Sequence, residues 1–160
     1  MRSMIFAAMA VALMAAPALA QPAPGYDVSA ASNKKFLADN LHKPGVKTFP
    51  SGLQYRVLAA GHGIPVRSTM DKVFVNYKGW LINGKMFDAS QPGHPAHFQV
   101  SGLIRGWVEA LQHMREGDSW ELVIPASLAY GADGAGNGLI PPNQVLVFDM
   151  EIKEVQPAAP

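Results

Sequence analysis

The chain contains no cysteine among its 160 residues. That absence removes thiol nucleophiles and zinc–thiolate centres, and it excludes lipid attachment through a processed N-terminal cysteine. Any fold in an oxidising compartment must stand without disulfides. Charge is also scarce: charged residues make up 16% of the sequence, with 13 Lys+Arg set against 12 Asp+Glu. Lys34-Lys35 is the only adjacent basic pair, so the basic stripe of a nucleic-acid-binding protein is missing, and the same balance argues against binding strongly anionic membranes. Partners are expected to be held by apolar and hydrogen-bonding contacts. Nucleophile elbows of the G-x-S-x-G type, H-E-x-x-H metal helices and Walker loops do not occur.

Long apolar runs are absent except at the start. Arg2 gives a short basic beginning, Met4 to Ala16 is uninterrupted apolar sequence, and Ala18-Leu19-Ala20 has the small-x-small pattern of a signal-peptidase site. The run falls short of the roughly 20 residues that span a bilayer. The expectation is an exported protein, periplasmic or secreted, whose residues 1–20 are removed after Ala20 and which has no membrane contact afterwards. Cleavage there also removes Arg2, leaving basic and acidic residues in equal number.

After Ala20 the chain divides by pattern. Gln21 to Val28 is a Pro/Gly/Ala-rich leader. Ser32 is placed to cap a short helix with Phe36, Leu37 and Leu41 on one face and Pro44-Gly45 as its stop. So short a helix must dock on the domain or on a partner. Lys47 to Gly52 reads as a connector, with a boundary near Pro50 that divides a leader of residues 21–50 from a domain of residues 51–155 and a tail of residues 156–160.

Beyond the boundary the period changes to alternation. Leu53, Tyr55 and Val57 alternate with Gln54 and Arg56, and Val73, Val75 and Tyr77 alternate with Phe74, Asn76 and Lys78. Asn83-Gly84 then separates two apolar runs as a hairpin turn does. Ile104, Trp107, Val108, Leu111 and Met114 fall on one face of a helix predicted over Leu103 to Met114. Trp120 to Ile124 is a strand stopped by Pro125, residues 131–138 form a glycine-rich excursion, and Leu146, Phe148, Met150 and Ile152 mark a last strand. The predicted class is α+β, with the helix packed across one face of an antiparallel sheet.

Little of the polar chemistry singles itself out. His94 and His97 flank Pro95 in an expected loop, which favours solvated side chains over metal ligands. Asp149 and Glu151 lie two apart on one strand face, expected to be solvent-facing. There is, however, a set of aromatics near chain irregularities: Tyr77, Phe87, Phe98, Trp107, Tyr130 and Phe148. Each alone reads as core, but Phe87 abuts Asp88 and Tyr130 abuts a glycine loop, which is the composition of a pocket wall.

The strings Phe87-Asp88-Ala89-Ser90, Leu103-Ile104-Arg105-Gly106-Trp107, Ala129-Tyr130-Gly131, Ile140-Pro141-Pro142 and Leu146-Val147-Phe148-Asp149 occur in the order and approximate spacing of one family. Through them the chain, from about Ser51 to Val155, resembles the FK506-binding-protein family of peptidyl-prolyl cis/trans isomerases. Pro50-Ser51-Gly52-Leu53-Gln54-Tyr55 and Phe98-Gln99-Val100-Ser101 add a likeness to its exported bacterial members of the macrophage infectivity potentiator kind. The departures are Leu103 where Val is usual, Ala89 where Ser is usual, and Ala135-Gly136-Asn137-Gly138 without the His-Pro of some relatives.

The resemblance implies a half-wrapped sheet with a helix across its concave face and a cleft between them, preceded by the short N-terminal helix. It implies a catalytic set of Tyr77, Phe87, Asp88, Trp107, Tyr130 and Phe148, with Trp107 as floor, and substrate contacts from Phe98, Leu103, Ile104 and Ile140. Asp88 is either a direct participant or a structural acceptor for Tyr77. No cofactor or metal is called for. The implied partners are proline-containing polypeptide clients, with macrolides such as FK506 or rapamycin as inhibitors. The long dimerisation arm of such relatives is reduced here to one short helix, which favours a monomer. The competing reading keeps the cleft and makes the protein an exported chaperone or binding module with isomerisation incidental.

Overall fold

The structure, a computed structural model, describes residues 25–159; the expected cleavage after Ala20 lies outside the described residues. The alternating segments form seven strands: β1 Lys47–Thr48, β2 Gln54–Ala59, β3 Lys72–Leu81, β4 Met86–Ala89, β5 Ala96–Gln99, β6 Ser119–Ile124 and β7 Leu146–Gln156. They make one antiparallel sheet in the order β1-β2-β6-β7-β3-β4, and β5 shares the outer edge of β3 with β4. The sheet therefore begins inside the expected connector, ahead of Pro50. The Asn83-Gly84 hairpin forms as expected, with Gly84 at φ +86°, a left-handed geometry that its missing Cβ makes cheap.

The helices lie on opposite faces. On one face, helix α2, Arg105–Leu111, buries Trp107, Ala110 and Leu111 against Val73, Val75, Leu122, Ile124, Leu146, Phe148 and Met150. It is shorter than the predicted Leu103 to Met114 because Leu103 and Ile104 are extended, at ψ 168° and 150°, and residues 112–114 close as turns bonded to Ala110 and Leu111. On the other face, helix α1, Ala30–Asn40, drives Phe36 into a second cluster with Trp80, Ile82, Val123, Val145 and Val147.

Helix α1 starts earlier than predicted. Its cap is Ser29, whose side chain accepts from the Ser32 N–H, and Leu41 is 46% exposed beyond its end. Docking is as polar as it is apolar. Asn33 Nδ2 donates to Gln144 Oε1 at 3.2 Å, Asn33 Oδ1 accepts from the Val145 N–H at 2.7 Å, and Asn40 Nδ2 donates to Gln54 Oε1 at 2.8 Å. Each of these side chains is buried, and their mutual bonds offset the cost of burying amides, with Asn40 Oδ1 alone among their oxygens left without a partner among the described residues.

Three local expectations are corrected. Val57 is 43% exposed, because β2 bulges between Val57 and Ala59 near the sheet edge. His97 lies in strand β5, stacked on Phe74 at 5.7 Å between centroids, and not in a loop. Asp149 is buried at 9% exposure and Glu151 is half-buried, so that strand face is not simply solvent-facing; α1 and the charged side chains of β2, β6 and β3 occupy it.

Candidate active site

The cleft lies at the end of α2, where the chain enters the helix from an extended Leu103-Ile104 pair. Its cavity measures about 340 Å³ and is lined by Tyr77, Phe87, Asp88, Phe98, Gly102, Leu103, Ile104, Trp107, Tyr130 and Phe148. Strand β3 contributes Tyr77, β4 contributes Phe87 and Asp88, β5 contributes Phe98 and β7 contributes Phe148, so four strands and one helix terminus converge on it. All the residues singled out by sequence come together there except Ile140. That side chain is 5% exposed in the main cluster, and its backbone pairs with Ala135 across the glycine loop. Gly102 escapes the sequence reading; as a glycine with open space around it, it carries no side-chain signal.

Trp107 is the floor, only 4% exposed. Tyr77, Phe98 and Phe148 meet its ring nearly perpendicularly, at centroid distances of 5.1, 6.1 and 5.2 Å, and Phe87 meets Phe148 edge-on at 5.5 Å. Edge-to-face contacts of this kind fix ring positions as well as burying area. The Trp107 Nε1–H has no partner among the described residues, which leaves a donor at the buried end of the floor.

The other polar groups of the cleft lie at its rim. The Tyr77 hydroxyl donates to Asp88 Oδ2 at 2.7 Å, and Asp88 Oδ1 accepts from the Ala89 N–H at 2.9 Å. Burial first, then the bond to Asp88, pushes the Tyr77 phenol up; burial and the Asp88 charge push Tyr130 the same way. Both phenols therefore stay protonated through neutral pH. Tyr130 is 40% exposed and holds its hydroxyl without an intramolecular partner among the described residues. The Ile104 carbonyl accepts from Trp107 and Val108, while its N–H, ahead of the first helical turn, has no acceptor among the described residues. Two free donors and a carboxylate thus border an apolar pocket. Such a site can seat a compact apolar ring, orient flanking carbonyls and exclude water.

Known proteins share this sequence and fold. The family model described as FKBP-type peptidyl-prolyl cis-trans isomerase matches residues 65–153, and that of the domain amino terminal to FKBP-type peptidyl-prolyl isomerase matches residues 5–57. The FKBP-type 22 kDa peptidyl-prolyl cis-trans isomerase of Escherichia coli is 48% identical over 132 residues, covering 81% of this chain and 63% of that protein. The peptidyl-prolyl cis-trans isomerase Mip of Coxiella burnetii is 46% identical over 129 residues, covering 80% of this chain and 55% of that protein. The chain thus spans between about half and two thirds of the length of these curated relatives.

Among solved structures, a 1.6 Å crystal structure of a peptidyl-prolyl cis-trans isomerase from Pseudomonas syringae superposes with a TM-score of 0.74 at 39% identity, covering 83% of this chain and all of that one. FkpA from Escherichia coli superposes with a TM-score of 0.75 at 45% identity, covering 81% and 60%. With a family model over more than half its length and a fold shared with solved members, the chain belongs to the FKBP-type peptidyl-prolyl cis-trans isomerases.

Proposed function

We propose that the chain catalyses cis/trans rotation about X-Pro bonds in polypeptides, by shape and desolvation and without a covalent intermediate. The observation that carries this reading is the Trp107 floor walled by Tyr77, Phe87, Phe98 and Phe148, with free donors at Ile104 and Tyr130 on its rim. Rotation is slow because amide resonance sets a barrier of about 18–20 kcal/mol. In the twisted transition state the carbonyl loses resonance and polarity, so a dry cleft favours it over the planar forms. Trp107 seats the pyrrolidine ring, the Ile104 N–H and the Tyr130 hydroxyl hold flanking carbonyls, and Leu103 lines the entrance. The Asp88–Tyr77 bond anchors the rim, and Ile140 supports the loop from beneath.

The clients are read as exported polypeptides, with the mature chain beginning after Ala20 in the periplasm or outside the cell. One curated relative bears the name outer membrane protein MIP, from Legionella longbeachae, at 47% identity. Sequencing the N-terminus of the exported protein tests the cleavage. The mature protein is further read as a monomer that binds macrolides of the FK506 kind in the cleft, checked by light scattering and by inhibition.

A protease-coupled assay on a proline-containing peptide tests the central claim. Catalysis by the wild type, inhibited by a macrolide and reduced at least about tenfold in Trp107→Ala or Phe87→Ala, is expected. No catalysis by correctly folded protein would refute it. The binding-module reading uses the same cleft and gains no observation of its own.

A further inference from the structure

Strand β3 changes partners along its outer edge. Val75 pairs with Ala96 of β5, whereas Lys78 and Gly79 pair with Ala89 and Asp88 of β4. Tyr77 falls in the gap between the two partners. Residues 91–95 loop out there, closed by a bond from the His94 N–H to the Gln91 carbonyl at 3.0 Å, and Pro92 and Pro95 lack the N–H that a ladder needs. The side chain that meets Trp107, Phe98 and Phe148 and bonds Asp88 is thus carried by a residue at which the sheet edge is interrupted.

Ser90 fills the interruption. Extending the β4 register by one residue sets it opposite Tyr77, and a hydrogen-bonded antiparallel pair exchanges two bonds, N–H to C=O in each direction. The first forms in the ordinary way: the Ser90 N–H donates to the Tyr77 carbonyl at 3.0 Å. For the second, the Tyr77 N–H donates to Ser90 Oγ at 3.0 Å, and the hydroxyl donates back to the Tyr77 carbonyl at 3.4 Å. A side-chain oxygen stands in for a backbone carbonyl at the point where the chain leaves the sheet. A short hydroxyl side chain carries an oxygen close to its own backbone, and it can accept and donate at once.

We infer that Ser90 is a positioning residue of the isomerase cleft, acting through the backbone of Tyr77. The inference rests on the isomerase reading above, and it gives Ser90 no contact with substrate, since Ser90 does not line the cleft. The link is short. Ser90 holds both polar groups of the Tyr77 backbone, and the backbone sets the origin of the ring. That ring stands edge-on to Trp107 at 5.1 Å, while its hydroxyl reaches Asp88 at 2.7 Å. Without Oγ the Tyr77 N–H loses its acceptor, and the pair keeps only the bond from the Ser90 N–H. A misplacement of about 1 Å in a catalytic site can cost about a hundredfold in rate, so the partial loosening of one wall is expected to cost less than that.

The test compares Ser90→Ala and Ser90→Thr with the wild type on the folded protein. It reads kcat/KM on a proline peptide, hydrogen exchange of the Tyr77 amide, and the Trp107 indole N–H resonance, whose position responds to the Tyr77 ring 5.1 Å away. Ser90→Ala is expected to lower kcat/KM about three- to tenfold, to speed Tyr77 exchange at least about tenfold and to move the Trp107 resonance. Ser90→Thr, which keeps the hydroxyl, should restore all of these. In a Tyr77→Leu background, where no ring is left to position, Ser90→Ala should lower kcat/KM no further. Unchanged kcat/KM and Trp107 resonance in Ser90→Ala would overturn the assignment. So would equal losses from Ser90→Ala with and without the Tyr77 ring, or a Ser90→Thr protein as impaired as Ser90→Ala. A wild type without catalysis would defeat the isomerase reading, and the exchange rate and the Trp107 resonance would then decide on their own whether Ser90 places the Tyr77 ring.

Discussion

A Cβ added at Gly79 would stand 2.6 Å from Phe148 Cε1 and 2.8 Å from Phe87 Cζ, well inside contact distance of both rings. The missing side chain in β3 is what lets the two phenyl groups meet edge-on and define one end of the cleft. Gly79→Ala is expected to push them apart, costing about 1–3 kcal/mol of stability and lowering kcat/KM on a proline peptide by about tenfold. Unchanged kinetics in the folded variant would show that ring placement does not matter. Asp88 is tested through its partner. In Tyr77→Phe the carboxylate loses its 2.7 Å donor while the ring remains, so a small stability loss with near-normal catalysis is expected if the bond only anchors the rim. A large fall in kcat at unchanged melting temperature would instead make the Tyr77–Asp88 pair a direct participant, and Asp88→Ala, assayed beside it, tells which of the two groups acts.

Asp149 sets a pH dependence of its own. Burial first, then Glu121, raise its pKa to about 6, with Arg56 and Lys78 pulling it back. An acid held above its unfolded pKa binds its proton more tightly in the folded state, so ionisation destabilises the fold. The cost is absent below about pH 4, grows between about 4 and 6, and is complete above that. Asp149→Asn should therefore stabilise the protein by about 2–3 kcal/mol at pH 7.5 and by almost nothing at pH 4. Denaturant titrations at both values check it; an equal difference at the two would contradict the pKa assignment.

At the scale of elements, the two helices differ in how much of their role the sequence announces. Helix α2 and the turn after it show a full apolar stripe through Trp107, Leu111 and Met114, and the strings around it match family motifs, so the cleft and its aromatic lining could be read residue by residue. Helix α1 is legible as a helix but not as to what it covers. Its anchors are Asn33 and Asn40, paired with Gln144 and Gln54, and an amide looks the same in sequence whether solvent or another amide satisfies it. Asp149 misleads for a similar reason, since alternation with apolar neighbours marks the two faces of a strand but not whether the second is covered. Ile140 belongs to a recognisable string, yet the glycine loop turns it into the core. The amide network predicts that Asn33→Ala, which orphans the buried Val145 N–H and Gln144, costs about 1–3 kcal/mol, measured by urea unfolding. A neutral result would mean that α1 is held by Phe36 alone.

On the scale of the whole molecule, the two hydrophobic clusters are built on the same strands. β7 gives Leu146, Phe148 and Met150 to the cleft side and Val147 to the side under α1, while β6 divides Leu122 and Ile124 from Val123 and β3 divides Val75 from Trp80. Neither side can lose its strands without exposing the other, so α1 is an integral layer and not an appendage. Phe36, 3% exposed in the second cluster, lies across the sheet from the cleft, and its removal separates stability from catalysis. Phe36→Ala should cost about 3–5 kcal/mol and lower Tm by on the order of 10 °C. Unfolding should remain a single transition, and kcat/KM per folded molecule at 25 °C should be unchanged. Calorimetry paired with the peptide assay decides between this and a modular protein. Two separate transitions, or unchanged Tm, would mean that α1 and the sheet fold independently, and lost activity with Tm intact would mean that the helix acts on the cleft across the sheet.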